Sequence, residues 1–185
     1  MKRLNLSPLT ESATLLRRAA VVLGSVGLTA LYSLLVLLRA LFGKLDRRIV
    51  DKYCREWSTA LLKLVRTSLT VRGEVPDFND GRRYIIMSTH ASHYDIPVSF
   101  VSLPGSIRML AKKELFKIPL LGQAMAAAEF PSIDRSSRQN AVRDLDRARA
   151  MMESGIVLWA APEGTRSPDG NLLPFKKGCF HQALE

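Results

Sequence analysis

Residues 19–38, AAVVLGSVGLTALYSLLVLL, hold no charged side chain. Wound into a helix at about 1.5 Å per residue, that run reaches about 30 Å, the thickness of a bilayer's hydrocarbon core. It is too long for a signal-peptide core, and no small-residue cleavage site follows it. The run is therefore read as a membrane anchor. Arg17 and Arg18 precede it, and Arg39, Lys44, Arg47, Arg48 and Lys52 come after it. The heavier basic side is C-terminal, so the charge rule predicts that the remaining domain lies on the cytoplasmic face of the membrane. Two basic ends suit equally a segment that dips into one leaflet and returns, with 45–65 as its second arm. Gly24, Ser25 and Gly27 form a small-residue face against which that arm can pack.

The rest of the chain reads as α/β. Residues 49–67 carry Val50, Tyr53, Trp57, Leu61, Leu62 and Val65 near a 3.6-residue period, which predicts a helix. Residues 69–75 read as a first strand, and 83–88 as a second. A short helix is expected over 96–103, closed by Pro104-Gly105, and a strand over 107–111. Pro119 and Gly122 argue against one straight helix across 115–128. Residues 130–133 read as a strand. A helix capped by Ser136 or Ser137 carries Ala141, Leu145, Ala148 and Met152 on one face and ends at Gly155. Residues 156–160 form a buried strand and 161–171 a loop. Alternation of strands and helices predicts a mixed, largely parallel sheet flanked by helices. Two units are expected, a membrane-anchoring helical segment over 1–66 and an α/β domain over 67–185.

Of the 185 residues, 47% are apolar, enough for a core, and the formal net charge is +10. Such a charge calls for an anionic partner: a membrane surface, phosphorylated substrates or nucleic acid. Cys54 and Cys179 stand far apart and suggest no disulfide framework.

Polar clusters come directly after the predicted strands, and strand ends on one edge of an open sheet bring separate stretches together. The first cluster is Thr89-His90-Ala91-Ser92-His93-Tyr94-Asp95. Histidine exchanges protons near neutral pH, and a nearby carboxylate fixes its tautomer and raises its basicity. His90 is read as a general base and Asp95 as its orienting partner. The second cluster is Lys112-Lys113-Glu114, with Asp134-Arg135 further on. In the third, Pro162-Glu163-Gly164-Thr165-Arg166, Gly164 allows close backbone approach to a ligand, Thr165 offers a hydroxyl, and Arg166 a planar fork suited to phosphate.

Taken in order, His90-x-Ser92-x-x-Asp95, Lys112-x-Glu114-Leu115 running to Ile133-Asp134-Arg135, Pro162-Glu163-Gly164-Thr165-Arg166 and Pro174-Phe175-Lys176-Lys177-Gly178 resemble the motifs of the glycerolipid acyltransferases. The resemblance is strongest to the 1-acylglycerol-3-phosphate (lysophosphatidic acid) acyltransferases and covers roughly residues 84–180. It implies transfer of a fatty acyl group from acyl-CoA or acyl-carrier protein to the free hydroxyl of a lysophospholipid, with no cofactor beyond that co-substrate. It implies His90 and Asp95 as catalytic residues, and Glu163, Gly164, Thr165 and Arg166 as the acceptor phosphate site, with Lys112 and Arg135 next. The sequence departs from the family pattern at Thr89, where the family usually has Asn. The family also continues into a further helix and strand, so the C-terminal part of the domain is expected to be missing here.

Rival readings are weaker. His90, His93, Asp95 and His181 could ligate zinc, but their spacing matches neither H-E-x-x-H nor a zinc-finger pattern. No G-x-S-x-G occurs, which disfavours a serine esterase. Asp95, Glu114, Asp134 and Glu163 interrupt the basic clusters, which suits a site better than a phosphate track, so no nucleic-acid partner is expected. A non-enzymatic basic membrane-surface protein, or an acyltransferase for another lysolipid, remains the alternative. The first of these would be released by a high-salt wash, whereas an inserted protein needs detergent.

Overall fold

The computed structural model describes residues 13–78, 80–134 and 136–184. Helix α1 (Leu15–Leu41) starts at Thr14, whose hydroxyl accepts the Arg17 N–H at 3.2 Å, and turns out through Gly43 at φ +62°. Helix α2 (Arg47–Leu64) is capped by Asp46, which accepts the Ile49 N–H at 2.8 Å. The remaining helices are α3 (Asp95–Ser102), α4 (Leu121–Ala127), α5 (Arg138–Glu153) and α6 (Gly178–Leu184). Of the two candidate caps for α5, Ser137 fills the role, accepting the Asn140 N–H. A 3-10 turn, Lys113–Lys117, precedes α4, so the 115–128 stretch is broken as Pro119 and Gly122 predict.

Strands β1 (Ile85–Met87), β2 (Ile107–Met109) and β5 (Val157–Ala160) form a parallel sheet in the order β1-β5-β2. Strands β3 (Ala111–Lys112) and β4 (Ser132–Ile133) pair parallel in a second, two-stranded sheet. The 107–111 run thus divides: the Leu110 N–H still donates to the Trp159 carbonyl, while the Ala111 N–H already donates to Pro131. The strand expected over 69–75 does not form. Residues 69–75 are exposed and irregular, because Gly73 at φ +98° breaks the extension that Leu69, Val71 and Val75 suggest.

Alternating side chains place one core on each face of the main sheet. Ile107, Met109, Val157 and Trp159 pack with Phe100 of α3 and with Cys54 and Trp57 of α2. On the opposite face Leu158 meets Ala148 and Met152 of α5, with Ile85 and Leu110 beside them. The layering is α2 and α3, then sheet, then α5.

Parts of segment 1–66 pack on the α/β layers: α2 through Cys54 and Trp57 against the sheet, and the C-terminal half of α1 against α4. Arg108 of β2 is 0% exposed and donates to Asp51 of α2 at 2.7 Å and to the Ala128 carbonyl at 2.7 Å. Its guanidinium also stacks over the Phe130 ring. Arg47 at the start of α2 grips Glu129 through two N–H···O bonds of 2.6 and 2.7 Å.

Helix α1 lies outermost. It is long and apolar enough to cross a membrane, and only 11% of its most apolar 18-residue window is buried. Its inner face meets α2, where the Trp57 indole N–H donates to Thr29 and Arg17 donates to the Leu64 carbonyl. Gly24 provides the expected small-residue contact, since a Cβ there would stand 2.9 Å from Leu64. Gly27 faces no neighbour within 4 Å and takes no part. The C-terminal half of α1 packs through Val36 and Leu37 on Ala124, Ala127 and Ala128 of α4.

Candidate active site

Register carries the site. Met87 stands opposite Ala160 in parallel strands, so the chain leaves β1 and β5 at one height and on one edge of the sheet. The 88–94 and 161–171 segments emerge side by side there, and two backbone-level bonds lock them together. The Ser167 N–H donates to the His90 carbonyl at 2.8 Å, and the His90 N–H donates to Glu163 Oε1 at 2.9 Å.

His90 and Asp95 meet as a pair, with Nδ1 and Oδ2 2.9 Å apart. The same Oδ2 accepts the N–H groups of Ala91 and Ser92, each at 2.9 Å. Three groups converge on one oxygen, which holds the carboxylate in place. Asp95 begins α3, where a negative charge also suits the helix N-terminus. A proton on Nδ1 directed at Asp95 would leave Nε2 as an acceptor, the arrangement a general base needs. The His90 ring is partly buried and stands edge-on to Trp159, centroids 5.8 Å apart, which fixes its plane from the sheet side. Sequence reasoning did not single out Trp159; its place in the 156–160 strand, next to the third cluster, was the available signal.

His93 is exposed on the same loop, and its pKa lies below the ordinary imidazole value. Partial desolvation of the ring is the main cause, the nearby Arg166 cation the next, with Asp95 opposing both. Arg166 is thus close enough to the histidine loop to act on it electrostatically. Thr165 and Arg166 are exposed at the rim. Gly164 sits at φ +73° beneath Lys176, and a Cβ there would lie 2.8 Å from Nζ. The Lys176 N–H donates to the Pro162 carbonyl, bringing a second cation onto the loop.

Glu163 is placed differently from its neighbours. It is 2% exposed, and its second oxygen accepts the Leu173 N–H at 2.9 Å. Its carboxylate therefore bridges two loops from inside rather than facing the rim. Glu163→Gln must point an amide NH2 at one of those backbone donors, leaving a bond unmade. Denaturant titration should show a loss of about 1–3 kcal/mol; unchanged stability would remove the bridging role.

Lys112 stands exposed on β3 in the second sheet, 3.7 Å from Glu114, and Lys113 beside it pairs with Asp134 at 3.0 Å. The structure thus puts Lys112 on a different sheet from the His90 loop. Arg135 lies outside the described residues.

Known proteins share this arrangement of sequence and fold. A 1-acyl-sn-glycerol-3-phosphate acyltransferase of Cocos nucifera is 32% identical over 178 residues, covering 96% of this chain and 57% of that protein. Its namesake from Limnanthes alba is 43% identical over 105 residues, 56% of this chain and 37% of the relative. The matched stretches thus span little more than half of the first relative and little more than a third of the second. The crystal structure of the 1-acyl-sn-glycerophosphate (LPA) acyltransferase PlsC from Thermotoga maritima matches with a TM-score of 0.71 at 27% identity, covering 92% of this chain and 68% of that one. The Acyltransferase family model matches residues 68–185, from just before the histidine strand to the chain's last residue, and the chain belongs to that family.

Proposed function

We propose that this protein moves a fatty acyl group from an acyl thioester to the free hydroxyl of 1-acylglycerol-3-phosphate, giving phosphatidic acid for phospholipid synthesis. The observation that carries the reading is the His90–Asp95 pair at 2.9 Å beside an arginine-bearing loop. The names of the relatives support the choice of acceptor.

In this reading Nε2 of His90 takes the proton from the acceptor hydroxyl as its oxygen attacks the thioester carbonyl carbon. The C–S bond breaks on collapse of the tetrahedral intermediate, and the imidazolium returns the proton to the departing thiolate. Asp95 holds the ring and stabilises its charged form. A thioester is already activated, so no acyl-enzyme is needed. Arg166, Thr165 and the backbone at Gly164 hold the acceptor phosphate, with Lys176 adding charge; Lys112 and Arg135 remain further candidates for the same anion. Glu163 serves that site by fixing its loop. The donor is acyl-CoA or acyl-carrier protein, and no cofactor takes part. Helix α1 keeps the protein at an anionic membrane with the 67–185 portion on the cytoplasmic face, where lipid acceptor and product reside.

The test is an acyl-transfer assay on the membrane-reconstituted chain with a panel of lysolipids and both donors. Turnover is expected with phosphate-bearing acceptors, and none with any acceptor would overturn the reading. In the same assay Arg166→Ala should raise KM for the phosphorylated acceptor roughly 10–100-fold, the equivalent of one charge-assisted contact, and leave KM for the donor near its starting value. Equal effects on both substrates would remove Arg166 from the phosphate site.

A further inference from the structure

Between the 3-10 turn Lys113–Lys117 and α4 the chain makes a tight protrusion whose side chains have no evident use inside the fold. Leu115 is 39% exposed, Ile118 44% and Leu120 42%, all within one short reversal. The reversal is built at some energetic cost. The Leu121 N–H donates to the Pro119 carbonyl at 2.8 Å, closing a three-residue turn around Leu120 at φ +64°, ψ −56°. That γ-turn geometry is rare and strained for a residue with a side chain. Gly122 is demanded by the same construction, since a Cβ there would lie 2.1 Å from the Phe116 carbonyl oxygen. The Gly122 N–H donates to Ile118 and the Ile118 N–H to Leu115, so the knuckle is held rigidly. A strained, braced turn that presents leucine and isoleucine to solvent has a partner of its own to meet.

The surroundings identify that partner. Lys112, Lys113 and Lys117 flank the apolar tip; Lys112 stands near Glu114 and Lys113 pairs with Asp134, yet all three lysines stay exposed at its base. Next to the knuckle in sequence, α4 packs on the C-terminal half of α1, which itself exposes Leu34, Leu38, Leu41 and Phe42. An apolar tip with a lysine collar beside a lipid-facing helix matches an anionic leaflet: apolar atoms below the headgroups, ammonium groups among the phosphates.

We propose that the 115–120 knuckle is a second lipid-inserting element, entering the headgroup–acyl boundary of an anionic membrane independently of α1. Two separated insertion points fix the rotation of the domain about α1, where a single helix leaves it free. The inference rests on the membrane-bound reading above.

Ile118→Trp in the full chain tests it, its emission taken as the difference from the parent protein, which already holds Trp57 and Trp159. On vesicles containing anionic phosphatidylglycerol the difference spectrum should shift blue and be quenched by lipids brominated along the acyl chain. If the chain floats with vesicles while that emission stays unchanged, the inference falls and the membrane reading stands. If it does not float at all, both fall. A blue shift that needs no vesicles and grows with protein concentration marks a protein–protein contact, and also overturns it. Leu120→Gly supplies a variant whose folding is not in doubt, because glycine relieves the positive φ. Its melting temperature should rise while its vesicle partition falls several-fold; undiminished binding would count against the knuckle.

Discussion

On the proposed mechanism His90→Ala should lower acyl transfer by about 10²–10⁴-fold, the range that a positioned general base contributes, and leave the thermal melt nearly unchanged. The two parts of that expectation come from different contacts. The loop around His90 is held by backbone groups, with the His90 N–H on Glu163 and the His90 carbonyl receiving the Ser167 N–H, and alanine keeps both. What alanine deletes is the ring, and with it the nitrogen that the proposed mechanism assigns to the substrate hydroxyl. Asp95→Asn is the companion variant. Its amide can keep one oxygen towards the Ala91 and Ser92 N–H groups, yet it offers no charge to stabilise the imidazolium, so turnover should fall while KM values hold. A His90→Ala protein that turns over normally would end the mechanism.

Arg108→Ala is expected to cost stability rather than chemistry. The guanidinium is 0% exposed and binds Asp51 and the Ala128 carbonyl. Removing one partner of a buried pair commonly costs 3–5 kcal/mol, and the lower end, about 3 kcal/mol, fits here because the Asp51 side chain retains 28% exposure. The loss should appear as a lowered denaturation midpoint with an unchanged KM for the donor. Replacing both partners with apolar residues, Arg108→Met with Asp51→Leu, should recover much of it. A double variant no more stable than the single one would show that the bonds to Ala128 and the Phe130 ring, not the ion pair, hold the junction.

Legibility from sequence varied with how local the cause was. The helices α1, α2, α3 and α5 and the strands β1 and β5 arise from runs and periods within a few residues, with Asp46 and Ser137 as caps. The 69–75 stretch shows the limit. Its alternation resembles a strand, but a strand needs a neighbour, and Gly73 turns the chain away. The division of 107–111 between two sheets is equally hidden, because a continuous apolar run does not record a change of hydrogen-bond partner at Leu110. At the site, the His90–Asp95 pair and the nearness of Arg166 were readable, since both arise from strand ends on one edge. The direction in which Glu163 points was not. A carboxylate among loop residues looks like a ligand in one dimension, and only the fold turns it inward. Arg108 carried a signal that went unread: a cation inside a buried strand requires an anion, and Asp51 lies on the amphipathic helix that covers it.

The matched heights of β1 and β5 have a consequence for how such a chain can vary in length. Ile85, Ile86 and Met87 face Leu158, Trp159 and Ala160 in register, so the His90 imidazole and the Arg166 guanidinium are spaced by a shared ruler with a step of about 3.3 Å. A codon gained or lost inside either strand would slide one group past the other and swap its face of the sheet. The same change in the stretch around Gly73, irregular and exposed, would leave that spacing intact.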